Sequence, residues 1–230
     1  MLIDLNVRVP TLESLESFIE MGNRLGLTGF ATFLQRKTPF ETLDSGMNLF
    51  ARTDLPESGL RSAKATLKET RSRSAIIAAP LRGIDMANWA AEDERVDLLT
   101  IDEPLKDFIL RESTAKLAAS SGTALEVLIE PLLNSFGLAR SKVVKVLREN
   151  VQTAIDAGMQ VILSSGAKVV MSMRSATAMQ YAGLLLGLDW HYAKIAVHES
   201  PQYVIDRNRK RLSPNFVSPG VEIVQKGELE

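Results

Sequence analysis

The sequence predicts an α/β fold, a single (β/α)8 TIM-like barrel. Three observations lead there. Eight short strand-like runs alternate with helix-like runs from end to end. A parallel return from one strand to the next needs a crossover, which those helices supply. The length, 230 residues, suits a closed barrel of eight units. An open doubly wound sheet is the competing architecture. No Gly-x-Gly-x-x-Gly follows the first strand-like run, which argues against a dinucleotide-binding version of it.

The strand-like runs are Leu2–Val9, Gly29–Leu34, Asn48–Thr53, Ala75–Ala79, Asp97–Ile101, Ala124–Ile129, Gln160–Leu163 and Lys194–Val197. Each is short, apolar or alternating, and either rich in β-formers or bounded by turn residues. Thr11 is placed to cap the first helix, with Leu12, Leu15, Phe18 and Ile19 on one face. The connection over Arg36–Met47 has room for only a short helix. Pro56-Glu57 opens the next helix, with proline in its first turn. Ala139–Ala157 carries the clearest stripe, Val143, Val144, Leu147, Val151 and Ile155, and Gly158 follows as a C-cap. Arg174–Leu186 and Pro201–Arg211 complete the set. No linker, low-complexity stretch or repeat divides the chain, so residues 1–230 read as one domain. Its tail, from about 212, carries Pro214, Pro219 and Gly220 and is expected to be extended.

An apolar fraction of 45% is enough for a sizeable core and too high for disorder. The net charge of −1 excludes a generic nucleic-acid glue and confines any such contact to local patches. The chain has no cysteine, hence no disulfide, thiolate metal site or thiol nucleophile. Asp4, Asn6 and Arg8 interrupt any signal-like opening, and no apolar run reaches the ~20 residues of a membrane helix. A cytoplasmic location and no membrane partner are expected.

Within a barrel, alternate residues of each strand face the lumen. With Ile3, Leu5, Val7 and Val9 assigned to the helix side, Asp4, Asn6 and Arg8 point inward. The same rule places Arg52, Glu126, Glu130, Lys194 and His198 inside. Such charges must pair, because an unpaired one in the interior costs several kcal/mol. Two readings stand: a structural ion-pair network, or a pocket at the C-terminal mouth where barrel enzymes place their chemistry.

Few constellations suit catalysis. The only histidines are His191 and His198. His198-Glu199 and Asp102-Glu103 are strand-end polar pairs with a strong structural reading, and no nucleophile elbow or phosphate loop appears. Ser164-Ser165-Gly166-Ala167-Lys168 reads as a tight turn or as backbone N–H groups presented to a phosphate. Cations recur at expected strand C-terminal ends: Arg36, Lys37, Arg52, Arg82, Lys168 and Arg174. On a barrel they would converge on one rim and suit phosphate. A second group, Arg207, Arg209, Lys210 and Arg211, places four cations in five positions. It fits a polyanion, and it equally fits the last turn of a helix, where cations meet the dipole. Aromatic residues do not interleave with these cations, so backbone binding by charge is expected rather than base stacking.

The chain resembles archaeal ribonuclease P protein component 3, the family of the eukaryotic thirty-kilodalton subunit, over nearly its full length. The likeness runs through Asp4-Leu5-Asn6-Val7, Leu25-Gly26-Leu27-Thr28-Gly29-Phe30, Val96-Asp97-Leu98-Leu99-Thr100 and Glu126-Val127-Leu128-Ile129-Glu130. It continues through Ile162-Leu163-Ser164-Ser165-Gly166-Ala167, Arg174, Leu184-Leu185-Leu186-Gly187-Leu188, Asn208-Arg209-Lys210-Arg211 and Pro219-Gly220-Val221-Glu222-Ile223. That family looks like a barrel related to the polymerase-and-histidinol-phosphatase (PHP) metal hydrolases. Those enzymes open with Asp-Leu-His-x-His, and here the two ligand places hold Asn6 and Arg8. A guanidinium has no lone pair for a metal.

The resemblance implies a non-catalytic subunit of the ribonucleoprotein endonuclease that removes 5′ leaders from precursor tRNA. It implies RNase P RNA as the catalyst, with Mg2+ bound by the RNA and not by this chain, and the component 2 protein as a partner. The alternative is a metal-dependent phosphoesterase of the PHP-like class using Asp4, Glu126, Glu130 and His198.

Overall fold

The computed structural model of the chain describes residues 2–33, 38–102, 109–218 and 221–222. Among the described residues, seven parallel strands form one sheet: β1 (Ile3–Asp4), β2 (Gly29–Thr32), β4 (Asn48–Asp54), β5 (Ile76–Pro80), β6 (Leu98–Ile101), β7 (Ala124–Leu128) and β8 (Val161–Ser164), paired in that order. The sheet curls until its ends nearly meet. Val7 bridges Ala167 in parallel, Gly166 N donates to Asn6 O at 3.0 Å, and Arg8 N donates to Ala167 O at 2.8 Å. Strand runs such as Ala75–Ala79 are continuously apolar because both faces are covered. Gly29 is required by close approach: a Cβ there would lie 2.8 Å from Asn48 O on the neighbouring strand.

Helices α1 (Leu15–Arg24), α2 (Leu60–Thr70), α3 (Ile84–Glu92), α4 (Glu112–Ser121), α6 (Gly137–Asp156) and α7 (Ala176–Leu185) supply crossovers or outer cover, with a short α5 (Glu130–Asn134) before α6. The outer face of the sheet packs on them through Leu67, Ala90, Leu99, Ala118, Leu125, Leu147, Val151 and Leu163. After α6, Gly158 sits at φ 74° and Met159 N donates to Ala154 O, a left-handed helix stop. None of the described helices is long and apolar enough to cross a membrane.

Three expectations need correction. The run Lys194–Val197 is helical. Asp189 accepts a hydrogen bond from Tyr192 N and starts α8 (Trp190–Lys194), which continues through a π-turn (Ile195–Glu199) into α9 (Ser200–Arg211). Ala193, Ala196 and Val197 are buried at helical spacing, but the run Lys194–Val197, without Ala193, is too short to separate that from a strand. In the Arg36–Met47 connection, the described part contains β3 (Phe40–Thr42), antiparallel to β4 from Asn48 to Phe50, in place of a helix. Pro56 and Glu57 lie in the connection ahead of α2, with Glu57 in a turn. The described tail contains a small antiparallel pair, β9 (Phe216–Ser218) with β10 (Val221–Glu222).

The lumen is divided into two layers. Its lower layer is apolar: Ile3, Leu5, Ala31, Phe50, Ile76, Ala78, Leu98, Ala124 and Ile162 pack with Val204 and Ile205 of α9. Helix α9 therefore plugs the N-terminal end of the barrel, and Asn208 Nδ2 fastens it to Ala75 O at 2.8 Å. Ile205→Ala should lower the free energy of unfolding in urea by roughly 2–4 kcal/mol, the cost of a core cavity. An effect below about 0.5 kcal/mol would mean that α9 is not part of the folded core.

Candidate functional site

The upper layer of the lumen is polar and is built around one ion pair. Arg52 of β4 and Glu126 of β7 meet across the barrel, with both side chains fully buried. Arg52 Nη1 donates to Glu126 Oε1 at 2.8 Å and Nη2 donates to Oε2 at 2.7 Å, a bidentate contact. Arg52 also donates to Leu5 O, Thr100 Oγ1 and Asp54 Oδ1. Glu126 in turn accepts from Thr100 Oγ1 (2.7 Å), Ser164 Oγ (2.8 Å) and Asn6 Nδ2 (3.3 Å). Burial alone would push the Glu126 carboxyl up. The Arg52 charge and these hydrogen bonds overcome that and hold it below the ordinary range. Burial also opposes the Arg52 charge, yet Asp54 and Glu126 raise its affinity for the proton.

Asn6 and Arg8 complete this layer. Arg8 Nε donates to Asn6 Oδ1 at 3.2 Å, and Arg8 Nη2 pairs with Asp102 at 2.9 Å on the rim. The ring of Phe33 lies 5.7 Å from the Arg8 guanidinium and 5.5 Å from that of Arg52. This donor set does not fit a metal. Both Glu126 oxygens are engaged by donors, the two flanking cations are guanidiniums, and Asn6 turns its amide nitrogen toward the carboxylate. Among the described residues, no cluster of three or more His, Asp or Glu is placed to hold an ion.

Asp4 lies outside this network. β1 bends after two residues, and Asp4 Oδ1 accepts from Asn6 N and Ser165 N, both at 3.1 Å, at the seam between β1 and β8. The bend shifts the alternation: Ile3 and Leu5 face the lumen, whereas Val7 and Val9 pack outward with Phe18 and Phe30. Burial raises the Asp4 carboxyl to about 6, against hydrogen bonds from Ser165 and Asn6. Glu130 is at the rim, where it accepts from Asn134 and pairs with Lys168 at 3.3 Å. Lys194 is exposed on α8, and His198 sits on the π-turn, held below its ordinary value by burial and Lys194. Neither Lys194 nor His198 reaches the lumen.

The expected cations fall on two opposite ends. Arg82 (paired with Glu57), Lys168 and Arg174 lie at the C-terminal rim. Arg174 Nη1 donates to Met171 O and Met173 O. Arg52 is buried and cannot reach a phosphate as the sequence reading required. Arg36 and Lys37 lie outside the described residues. The Arg207–Arg211 group is at the plugged end and is split by helical spacing. Arg207 Nη2 binds the buried Asp97 at 2.7 Å, which Arg71 also binds at 2.7 Å, and Arg211 donates to Glu94 O. Arg209 and Lys210 are exposed, with Arg209 over the Phe40 ring. Asp97 is the anchor that sequence reasoning missed. Its available signal was a carboxylate at the first position of a mostly apolar strand run.

A family model described as RNase P subunit p30 matches residues 1–213. The chain belongs to the RNase P subunit p30 family. It is 25% identical over 217 residues to ribonuclease P protein component 3 of Methanosarcina acetivorans, covering 92% of this chain and 90% of the relative. The protein of the same name from Methanosarcina barkeri is 33% identical over 147 residues, covering 64% of this chain and 61% of that one. In structure, the fold matches a chain of archaeal ribonuclease P determined by cryo-electron microscopy with mature tRNA. The TM-score is 0.78 at 22% identity, covering 99% of this chain and all of that one. The barrel-like α/β architecture of this p30-family chain is thus shared with that solved chain.

Removing one partner of the central pair should be costly. Arg52→Met is expected to lose about 3–5 kcal/mol in denaturant unfolding, and adding Glu126→Leu should restore most of it. Equal losses in single and double variants would show that the pair is not the determinant. Asp4 gives a pH signature. Its folded-state pKa is raised, so its stabilising contribution is present below the ordinary carboxylate value and is lost as pH rises through about 6. Asp4→Asn should therefore flatten the stability profile between about pH 4 and 6, a change on the order of 2–3 kcal/mol. Parallel profiles for the two proteins would exclude that assignment.

Proposed function

We propose that this chain is a protein subunit of ribonuclease P that contributes no catalytic group of its own and supports a catalytic RNA in 5′ maturation of precursor tRNA. The family match over residues 1–213 carries this reading. The interior agrees with it: the deeply buried Glu126 carboxylate of the lumen's polar layer is neutralised by a guanidinium from the same barrel. Mg2+ acts at the RNA, where phosphate oxygens supply the ligands. The component 2 protein is a direct partner and carries part of the affinity, consistent with a chain whose net charge is only −1. The phosphoesterase alternative lacks a donor set, since Asn6 and Arg8 are tied to Glu126 and Asp102.

Contact with RNA is through phosphate and charge. The exposed pair Arg209 and Lys210 is the part of the tail cluster free to make it, because Arg207 and Arg211 hold Asp97 and Glu94. In a particle reconstituted from purified RNA and proteins, Arg209→Ala with Lys210→Ala should leave the chain's thermal unfolding unchanged. The same pair should reduce the slope of log affinity against log salt by about 1.5–2. An unchanged slope would remove these two residues from the RNA interface. Precursor tRNA cleavage that does not depend on adding the chain would overturn the proposed function itself.

A further inference from the structure

Between α5, the first turns of α6, and α7 runs a groove of about 320 Å3, lined by Ile129, Leu132, Leu133, Ala182 and Leu185, with Arg140 and Arg174 at its edges. It does not belong to the lumen. Its floor is aliphatic, and its apolar character continues onto the surface on both sides. Phe136, three-quarters exposed, stands beside Arg140, whose guanidinium lies 5.2 Å from the ring. On the other side Tyr181, one helical turn before Leu185, packs edge-to-face on Trp190 at 5.8 Å, and all three of these residues are at least half exposed. Large aromatic and leucine side chains left uncovered together mark an interaction surface far more often than isolated ones do.

The charges around the groove identify its occupant. Arg140 donates to Ser135 O, and Arg174 donates to two backbone carbonyls. Arg148, on the next turns of α6, approaches Gly187 beyond the end of α7. None of these three arginines forms a salt bridge with a carboxylate among the described residues. An RNA strand would satisfy these cations, but it would leave the aliphatic floor against phosphate and sugar. A helix with leucine-like residues at i, i+3, i+4 and i+7, flanked by carboxylates, satisfies both. We propose that the α5–α7 groove is a protein-docking face that takes an acidic amphipathic helix of a partner in the ribonuclease P particle. This inference rests on the functional reading above. It gives Arg174 a role at a protein interface in place of the RNA contact read from the sequence.

The test uses the full chain and hydrogen–deuterium exchange. The chain is mixed in turn with each purified protein of the particle, with the purified RNA, and with nothing at raised concentration. The inference expects one protein alone to protect α7 and the start of α6. It also expects Leu185→Asp, at a half-exposed position, to weaken that protein's binding at least tenfold while thermal unfolding stays unchanged. Arg140→Glu with Arg174→Glu should weaken it likewise, and the loss should diminish when flanking carboxylates of the partner helix are changed to lysine. Protection by RNA alone, or protection in the chain by itself that grows with its concentration, would overturn the proposal in favour of an RNA face or a second copy. If the particle assembles and cleaves precursor tRNA with this face unprotected, the docking face is wrong and the functional reading stands. If the chain joins no such particle, both fall.

Discussion

The Arg52–Glu126 pair is the constraint on which the rest of the barrel depends. Two charges with no exposed surface are tolerated because each is bidentate to the other and the remaining Arg52 N–H groups and Glu126 oxygens find further partners, most of them on other strands. Those partners come from β4, β6, β8 and the segment just after β1, so the pair, itself spanning β4 and β7, ties the sheet together around its circumference. In a barrel enzyme that space would hold substrate or metal. Here the protein's own guanidinium fills it, with Arg8 and Phe33 stacked above.

Below that layer the interior is hydrocarbon, and helix α9 closes it. The tail cluster is consequently part structure and part surface. Arg207 and Arg211, one turn apart, reach back to the buried Asp97 and to Glu94, while Arg209 and Lys210 face away. Charge counting treats the four as equivalent. Helical geometry and one buried carboxylate make them unequal. The same separation explains how a nearly neutral chain presents local positive charge at both ends.

Much of the fold was legible because the strand runs from Gly29 to Leu163 are apolar and bounded by helices with the right period. That Asn6, Arg52 and Glu126 share the lumen was legible from alternation, and that its charges must pair from the cost of burying them alone; which ones pair was not. Other features were not. The run Lys194–Val197 is too short to separate the two periods, and the Asp189 cap and the continuation to Arg211 decide for helix. The placement of Asp4 failed because alternation assumes an unbroken strand, and β1 bends after two residues. The split of the tail cluster and the groove beside α7 depend on burial, which a linear sequence does not display.

A lumen closed by its own ion pair leaves no room for a metal ion at Glu126. Titrating the isolated chain with Mn2+ and Zn2+ by calorimetry, alongside a generic phosphoester assay, tests it most directly. No stoichiometric site that depends on Glu126 and no turnover are expected, from a chain that restores cleavage when added to the RNA and its partner proteins. Tight one-to-one metal binding, abolished by Glu126→Gln and accompanied by turnover, would contradict it.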